Sequence, residues 1–582
     1  MALPPCLPAL LSLNSRMTAT RARRVLVYAL CALVAFALHF FLISDRVVLG
    51  LFGYHVNGLV LNLLMTPGGI ESMGLQGGNY ALIILGGLLL FAFECLLAWG
   101  CLAGRPAQRL KACFMRHARR LGLVWLLVVA LGLGLAFLCE GIADYKADAA
   151  TLVHVETYPL FPYVRMRSFL RRLGIDEPPR ESLAARASLN GVQGELRYPA
   201  APIVREAHER FNIVWLVAES LRADMLTPEI MPHAWELASS RGVRFTRHYS
   251  GGHGTRPAMF SMFYGLHANC WNAFLRSARA PLLFDWLRED NYAFLCQTSA
   301  KFSYPEFDRT IFASMKDSDL KEYPKGIPWQ RDGENIDNAI AFVRAHGEAE
   351  SPFFLFCFFE GTHASYSFPE DEAADPIRTD YIHDVNYALV GEKDAPRLMN
   401  RYVNAAHRVD FQIGRLLAAL EERSDVAART IVVVTGDHGE EFYEKGRLGH
   451  NSTFVEEQIR TPLVIAIPRQ APAVYEGLSH HTDILPTLAP VLGVASPPAD
   501  YCVGGNLLDP SYVRSDFLCF GWDVAVFAAD DRKFLLPIGK KLLFGDRLTT
   551  LDDHSVKDDN FLEENAARLH RAQQEMFRFI GR

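Results

Sequence analysis

The sequence predicts N-terminal transmembrane helices followed by an α/β domain with a small C-terminal subdomain. Three observations carry this reading. Hydrophobic residues make up 50% of the chain, and the excess lies in the first quarter. From Phe211 onwards strand and helix patterns alternate, as in a parallel sheet covered by helices. From about residue 500 the strands shorten, and a polar amphipathic helix near 560–578 closes the chain.

With 582 residues the chain is too long for one ordinary domain. Its mean hydropathy of +0.07 is high for a soluble protein. A net charge of −6 argues against a nucleic-acid partner. No internal repeat or low-complexity tract stands out.

Residues 1–140 read as a membrane domain. The segments 25–44, 81–103 and 121–139 each approach the ~20 residues needed to cross a bilayer. A cleaved signal peptide explains the first poorly, because two more spans follow. Arg16, Arg21, Arg23 and Arg24 precede the first span. Arg105, Arg109, Lys111, Arg116, Arg119 and Arg120 lie between the second and third. The 49–78 loop has no Lys or Arg. By the positive-inside rule the N-terminus and the 104–120 loop are cytoplasmic. Three spans then put the rest of the chain in the periplasm, anchored to a bacterial inner membrane. Glu94 lies inside the second span. It is either a functional carboxylate or a neutral hydrogen-bonded helix–helix contact, and the second is preferred.

Residues 141–210 read as a juxtamembrane connector. Arg165, Arg167, Arg171 and Arg172 on a short helical stretch suit anionic lipid headgroups or a solvated face equally well. The 211–500 domain follows, with strands expected at 213–218, 243–249, 292–298, 353–359, 431–434 and 462–467. A helix at 399–422 carries Val409, Ile413, Leu416, Leu417 and Leu420 on one stripe, so it packs on the sheet. His481-Thr-Asp-Ile-Leu-Pro-Thr487 opens another helix, with Thr482 or Asp483 as its cap. Residues 501–582 form the C-terminal subdomain. Of the 11 cysteines, Cys270, Cys296, Cys357, Cys502 and Cys519 lie in the outer part. That odd set leaves at least one without an internal partner.

Polar residues recur where strands end. Glu219-Ser220 follows the first strand, and Ser250-Gly-Gly-His-Gly-Thr255 follows the second. His363 follows the 353–359 strand, Asp437-His438 the 431–434 strand, and His450 lies in Gly449-His-Asn451. Ligands of open α/β sheets sit beyond the carboxyl ends of the strands. Carboxylates and imidazoles there are natural ligands for zinc or manganese. A metal lowers the pKa of a hydroxyl such as that of Thr255. His363 and His450 are candidates to protonate a leaving oxygen or activate an acceptor. Gly251, Gly252 and Gly254 suggest backbone N–H groups open to an anion. His253 and Arg256 are either phosphate contacts or solvent-facing loop residues.

In this order the motifs resemble the sulfatase-like branch of the alkaline phosphatase superfamily, over roughly residues 211–495. Within it they are similar to lipoteichoic acid synthases and phosphoethanolamine transferases. The resemblance implies one divalent ion, Zn or Mn, on Glu219, Thr255, Asp437 and His438, with Thr255 as nucleophile. It implies ancillary roles for His363 and His450. The substrates it implies are phospholipid or lipopolysaccharide headgroups. True sulfatases oxidise a Cys or Ser in Cys/Ser-x-Pro-x-Arg to formylglycine. Here the stretch is Thr255-Arg-Pro-Ala-Met259, and Thr cannot give that aldehyde.

The whole-chain layout resembles the YejM family of inner-membrane proteins, through Tyr54-His-Val-Asn57, Tyr158–Gly174, Glu195-Leu-Arg-Tyr198 and Phe263-Tyr-Gly265. That family has five spans where this chain shows three. It is thought to have lost catalytic residues and to act by binding lipid and partner proteins. The alternative it implies is a lipid-binding regulator of envelope homeostasis without catalysis, with membrane-protein partners reached through the transmembrane helices. The intact set Glu219, Thr255, Asp437 and His438 speaks for an enzyme.

Overall fold

The computed structural model describes residues 21–52, 55–66, 77–103, part of 124–139, and 195–582 apart from 324, 347–351, 371–375, 384, 386–389, 523, 539–546, 559 and 581–582. The chain divides into two compact units, one of residues 1–57 and 75–180, the other of 58–74 and 181–582.

In the first unit, helices Arg21–Phe52 and Gly77–Ala103 pack on each other. Within them Tyr28–Leu49 and Tyr80–Trp99 are long and apolar enough to cross a membrane. Leu82, Ile84, Leu88, Leu89 and Leu96 are exposed along the second helix, as side chains facing lipid are. Glu94 is buried and accepts a hydrogen bond from His39 Nδ1 at 2.7 Å. This is the helix–helix contact preferred from sequence. Of the third expected span, the described residues between 124 and 139 are helical. The rest of it, the 104–120 loop and the connector up to residue 194 lie outside the described residues.

The second unit is built on an eight-stranded sheet. In chain order its strands are β1 (Asn212–Ala218), β2 (Val243–Tyr249), β3 (Ala293–Thr298), β4 (Leu320–Glu322), β5 (Phe353–Phe359) and β6 (Thr430–Gly436). After the short hairpin β7 (Glu441–Phe442) and β8 (Leu448–Gly449) come β9 (Leu463–Ala466) and β10 (Ala473–His480). The order across the sheet is β10-β2-β9-β6-β1-β5-β3-β4. The expected parallel sheet is mixed, because β9 runs antiparallel to both β6 and β2. Its few apolar residues carry no mark of direction. Two reversals cancel, so β2 runs the same way as β1 and β6, and their carboxyl ends share one edge.

Side chains alternate across β1. Ile213, Trp215 and Val217 enter one core, and Val214, Leu216 and Ala218 the other. On the first face Trp215 stacks on Phe263 of the helix Thr255–Tyr264, with ring centroids 4.8 Å apart. On the second lies the helix Ala395–Glu421, whose expected stripe of Val409, Ile413, Leu416, Leu417 and Leu420 is buried. Asp410 on that helix accepts N–H bonds from His233 (2.9 Å) and Ala234 (2.8 Å), satisfying the first turn of the helix Pro232–Ser240.

The C-terminal subdomain is an antiparallel sheet of β11 (Asp516–Phe520), β12 (Val524–Ala529), β13 (Arg532–Pro537) and β14 (Leu548–Thr550). The single helix expected near 560–578 is instead Phe561–Glu564 and Ala566–Glu575. The break falls at Asn565, whose side-chain amide donates back to Phe561 O at 3.1 Å, a local bond that competes with helix continuation. The five outer cysteines are all buried free thiols.

Replacing Trp215 by Ala removes the ring that joins the sheet to the helix bearing Thr255. It is expected to cost about 3–5 kcal/mol, read as a lowered melting temperature by circular dichroism.

Candidate active site

Strand register assembles the site. Ala218 pairs with Gly436 on one side and with Phe359 on the other. The next residue on each strand, Glu219, Asp437 and Glu360, therefore lies one step past a common row. Thr255 comes from the loop after β2 and opens the helix Thr255–Tyr264. The partial positive charge of that helix start lies beside its hydroxyl.

Thr255 Oγ1 donates to Glu219 Oε1 at 3.0 Å and lies 3.3 Å from His438 Nε2. His438 Nδ1–H donates to Gly439 O at 2.9 Å, which leaves the Nε2 lone pair facing Thr255. Asp437 Oδ1 accepts from the N–H groups of Ser220 (2.9 Å) and His438 (2.8 Å). Ser220 reaches it with a left-handed backbone, φ +60°, an uncommon conformation for a residue with a side chain. Asp437 Oδ2 is buried, has no hydrogen-bond partner among the described residues, and lies 3.3 Å from His438 Nε2.

The electrostatics are strained. Burial, then the Glu219 charge, pushes the Asp437 carboxyl well above the usual range. Burial pushes Glu219 up to about 7, against the pull of His450. Burial, then the nearby His450, holds His438 well below the usual imidazole value. Two buried carboxylates, a neutral imidazole with its lone pair inward and an orphaned carboxylate oxygen fit a divalent cation. One ligand atom each from Glu219, Asp437 and His438 lies within 4.8 Å of the others. A second such group, Glu219, Glu360 and His363, shares Glu219.

The two ancillary histidines differ in state. His363 Nε2 is 3.8 Å from Glu219 Oε1, and burial, then His450, lowers its pKa. His450 lies with its ring 4.3 Å from that of His438 and 5.5 Å from that of His363. Burial would lower its pKa, yet Glu440 raises it: Nδ1–H donates to Glu440 Oε2 at 2.7 Å. Tyr366 OH donates to the other oxygen of Glu440 at 2.6 Å. Burial opposes ionisation of Glu440, but His450 and Tyr366 hold its pKa below the usual value. His450 thus stays charged at higher pH than an isolated imidazole.

Tyr366, the tyrosine of the motif His363-x-x-Tyr366-x-x-Pro369, and Ser250, the first residue of the glycine loop, carry no role in the sequence reading, and Glu440 carries no mark at all. Ser250 Oγ donates to Asp437 O at 2.6 Å. Glu440 stands beside Glu441 in the run after Asp437-His438, and adjacency cannot say which one turns inward. Glu441 instead accepts from Gln458 Nε2 at 2.8 Å.

Two of the N–H groups expected to face an anion are already bonded within the protein. Gly251 N–H bonds to His481 Nδ1 (3.4 Å), Gly252 N–H to Ser250 Oγ (3.1 Å), and His253 N–H to Phe520 O (3.3 Å). These glycines answer to packing. A Cβ on Gly251 would meet Ser261 Oγ at 2.1 Å, and one on Gly252 would meet Pro257 Cγ at 2.3 Å. His253 is buried with its ring against Phe454. Arg256 pairs with Glu306 at 2.6 Å between Trp271 and Trp522.

Residues 211–494 match the family model described as Sulfatase, and residues 2–204 match a model described as "Domain of unknown function (DUF3413)". The 211–494 segment is sulfatase-like. An uncharacterized protein of Haemophilus influenzae is 24% identical over 480 residues, 80% of this chain and 71% of that one. Inner membrane protein YejM of Salmonella typhimurium is 21% identical over 485 residues, 82% of this chain and 73% of its own length. Among solved structures, the phosphonate monoester hydrolase of Agrobacterium radiobacter aligns with 17% identity and a TM-score of 0.47, over 63% of this chain and 97% of that one. The chain thus joins a sulfatase-like domain to an N-terminal region, and as a whole it resembles YejM.

Replacing Glu440 by Gln removes the charge that lifts His450, so the His450 pKa is expected to fall. The sign follows from the raised value. His450's contribution to stability is complete below the ordinary histidine pKa and fades as pH rises through the lifted one. Histidine-selective NMR titration of the metal-free protein reads the shift.

Proposed function

We propose that this chain is a membrane-anchored, metal-dependent phosphotransferase or phosphoester hydrolase. In this reading it sits in a bacterial inner membrane, N-terminus cytoplasmic, with the sulfatase-like domain in the periplasm. Its substrates are phospholipid or envelope-glycolipid headgroups. The observation that carries the reading is the Thr255 hydroxyl held between Glu219 and His438, beside the orphaned Asp437 oxygen.

Glu219, Asp437 and His438, with Thr255, are the residues that would hold the ion, Zn or Mn. A divalent ion there supplies Lewis acidity, which lowers the pKa of a hydroxyl and offsets charge on a transferred phosphoryl group. The chain's own residues do the rest. Glu219 aims the Thr255 hydroxyl and takes its proton as the oxygen bonds to phosphorus and the ester bond to the leaving oxygen breaks. His450, charged through Glu440, gives the leaving oxygen its proton. Water or an acceptor hydroxyl then attacks the phosphothreonine and returns a proton to His450, and Thr255 departs, regaining its proton from Glu219. Thr255 cannot supply the formylglycine of true sulfatases, which favours phosphoryl over sulfuryl chemistry.

A second reading is a YejM-like, lipid-binding regulator without catalysis. It is favoured by similarity that runs through the N-terminal 2–204 region as well as the sulfatase-like domain. Under it, function survives Thr255→Ala and is lost when the N-terminal region is disrupted.

Glu219→Gln and Asp437→Asn in the detergent-solubilised full chain are expected to weaken Zn or Mn binding at least tenfold, about 1.4 kcal/mol, by calorimetric titration. Unchanged affinity would remove the metal assignment. Incubation with mixed bacterial phospholipids is expected to leave a phosphoryl or headgroup-phosphate adduct on Thr255, absent in Thr255→Ala, by intact-mass spectrometry.

A further inference from the structure

The motif His481-Thr-Asp-Ile-Leu-Pro-Thr487 has no part in the chemistry above. His481 is fully buried in the turn between β10 and the helix Ile484–Leu488. Its ring joins two backbones. Nδ1 accepts from Gly251 N–H at 3.4 Å, and Nε2–H donates to Gly436 C=O at 3.2 Å. One neutral tautomer makes both bonds. Gly251 belongs to the loop that delivers Thr255, and Gly436 is the residue before Asp437.

The turn that carries His481 is itself anchored. The buried Asp483 carboxylate accepts from His480 N (2.9 Å), Gly505 N (3.0 Å) and Tyr512 OH (2.8 Å). Arg514 adds two parallel bonds of 2.7 Å, from Nε to Oδ2 and from Nη2 to Oδ1. A bidentate pair of this kind fixes direction as well as distance. The imidazole therefore sits on an anchored turn, while the 250–254 loop it touches is otherwise held by Ser250 and by the bridge between Gly252 and Phe520.

We propose that His481 is a positioning residue, a cross-brace that sets the spacing between the Thr255 loop and the Asp437–His438 pair and thereby the affinity for a divalent cation. The proposal rests on the metal reading of the site. Removing a group that orients metal ligands typically costs 10–100-fold in affinity. Ser250, which also ties the loop to Asp437, keeps the loss toward the lower end.

The test uses the full chain in detergent, as wild type, His481→Ala and His481→Gln. Three quantities are read: the affinity for Mn, deuterium uptake of peptides covering 250–255 and 353–359, and the melting temperature. For His481→Ala we expect Mn binding about tenfold weaker and faster exchange at 250–255, with β5 at 353–359 as protected as in wild type. Gln retains a donor and an acceptor, so His481→Gln is expected to recover part of both losses. Unchanged exchange at 250–255, or equal loosening of β5, would overturn the proposal. If His481→Ala does not fold, the same criteria apply to His481→Gln. If the wild type binds no Mn, the metal reading fails, and the exchange data alone decide whether His481 braces the loop.

Discussion

Two carboxylates, Glu219 and Asp437, are buried side by side because β1 and β6 are paired in register with their ends level. Burial raises the cost of ionising both, and the Glu219 charge adds to that of Asp437. Everything around them answers to that constraint. Ser220 bends into a left-handed conformation to give Asp437 an N–H bond. Thr255 donates to Glu219, and His438 turns its lone pair inward. Such a cluster is costly without a cation and cohesive with one, so the same feature is both a liability of the fold and the basis of the chemistry proposed for it.

Around this centre the two other histidines are set apart by their neighbours. His363 has lost pKa to burial and to the charge of His450. His450 has gained it from Glu440, itself held by Tyr366. Opposed shifts in adjacent imidazoles would divide acid from acceptor in the proposed reaction. The division depends on Tyr366 and Glu440, which come from the segments after β5 and β6, so it too follows from the strand order.

Much of this was legible in the sequence because chemistry at strand ends leaves local marks. A β-branched run that stops at Gly436-Asp437-His438 announces both a buried strand and what stands at its end. The six residues Glu219, Thr255, His363, Asp437, His438 and His450 were marked in that way, and the structure brings them together. What was illegible depends on direction and register. The reversed β9 is four apolar residues with no sign of orientation. Glu440 and Glu441 are neighbours of the same type, and only the path of the chain separates them. The glycines of the 251–254 loop suggest an open anion cradle, but the N–H groups of Gly251 and Gly252 are spent on His481 and Ser250. The fold needs them small because Ser261, Pro257 and Asn451 crowd against them.

Phe520 of β11 hydrogen-bonds on both sides of Gly252: its N–H donates to Gly251 O at 2.9 Å, and its carbonyl accepts from His253 N–H at 3.3 Å. The loop before Thr255 is thus an added rung on the C-terminal sheet. Similarity to the sulfatase family ends at residue 494, before that sheet begins. A chain cut there would retain every side chain proposed for the chemistry and lose the strand that pairs with the loop leading to Thr255. The segment that matches the family is therefore shorter than the part of the chain that shapes the candidate site, and a stop codon ahead of Phe520 would remove that rung without altering any residue of the site.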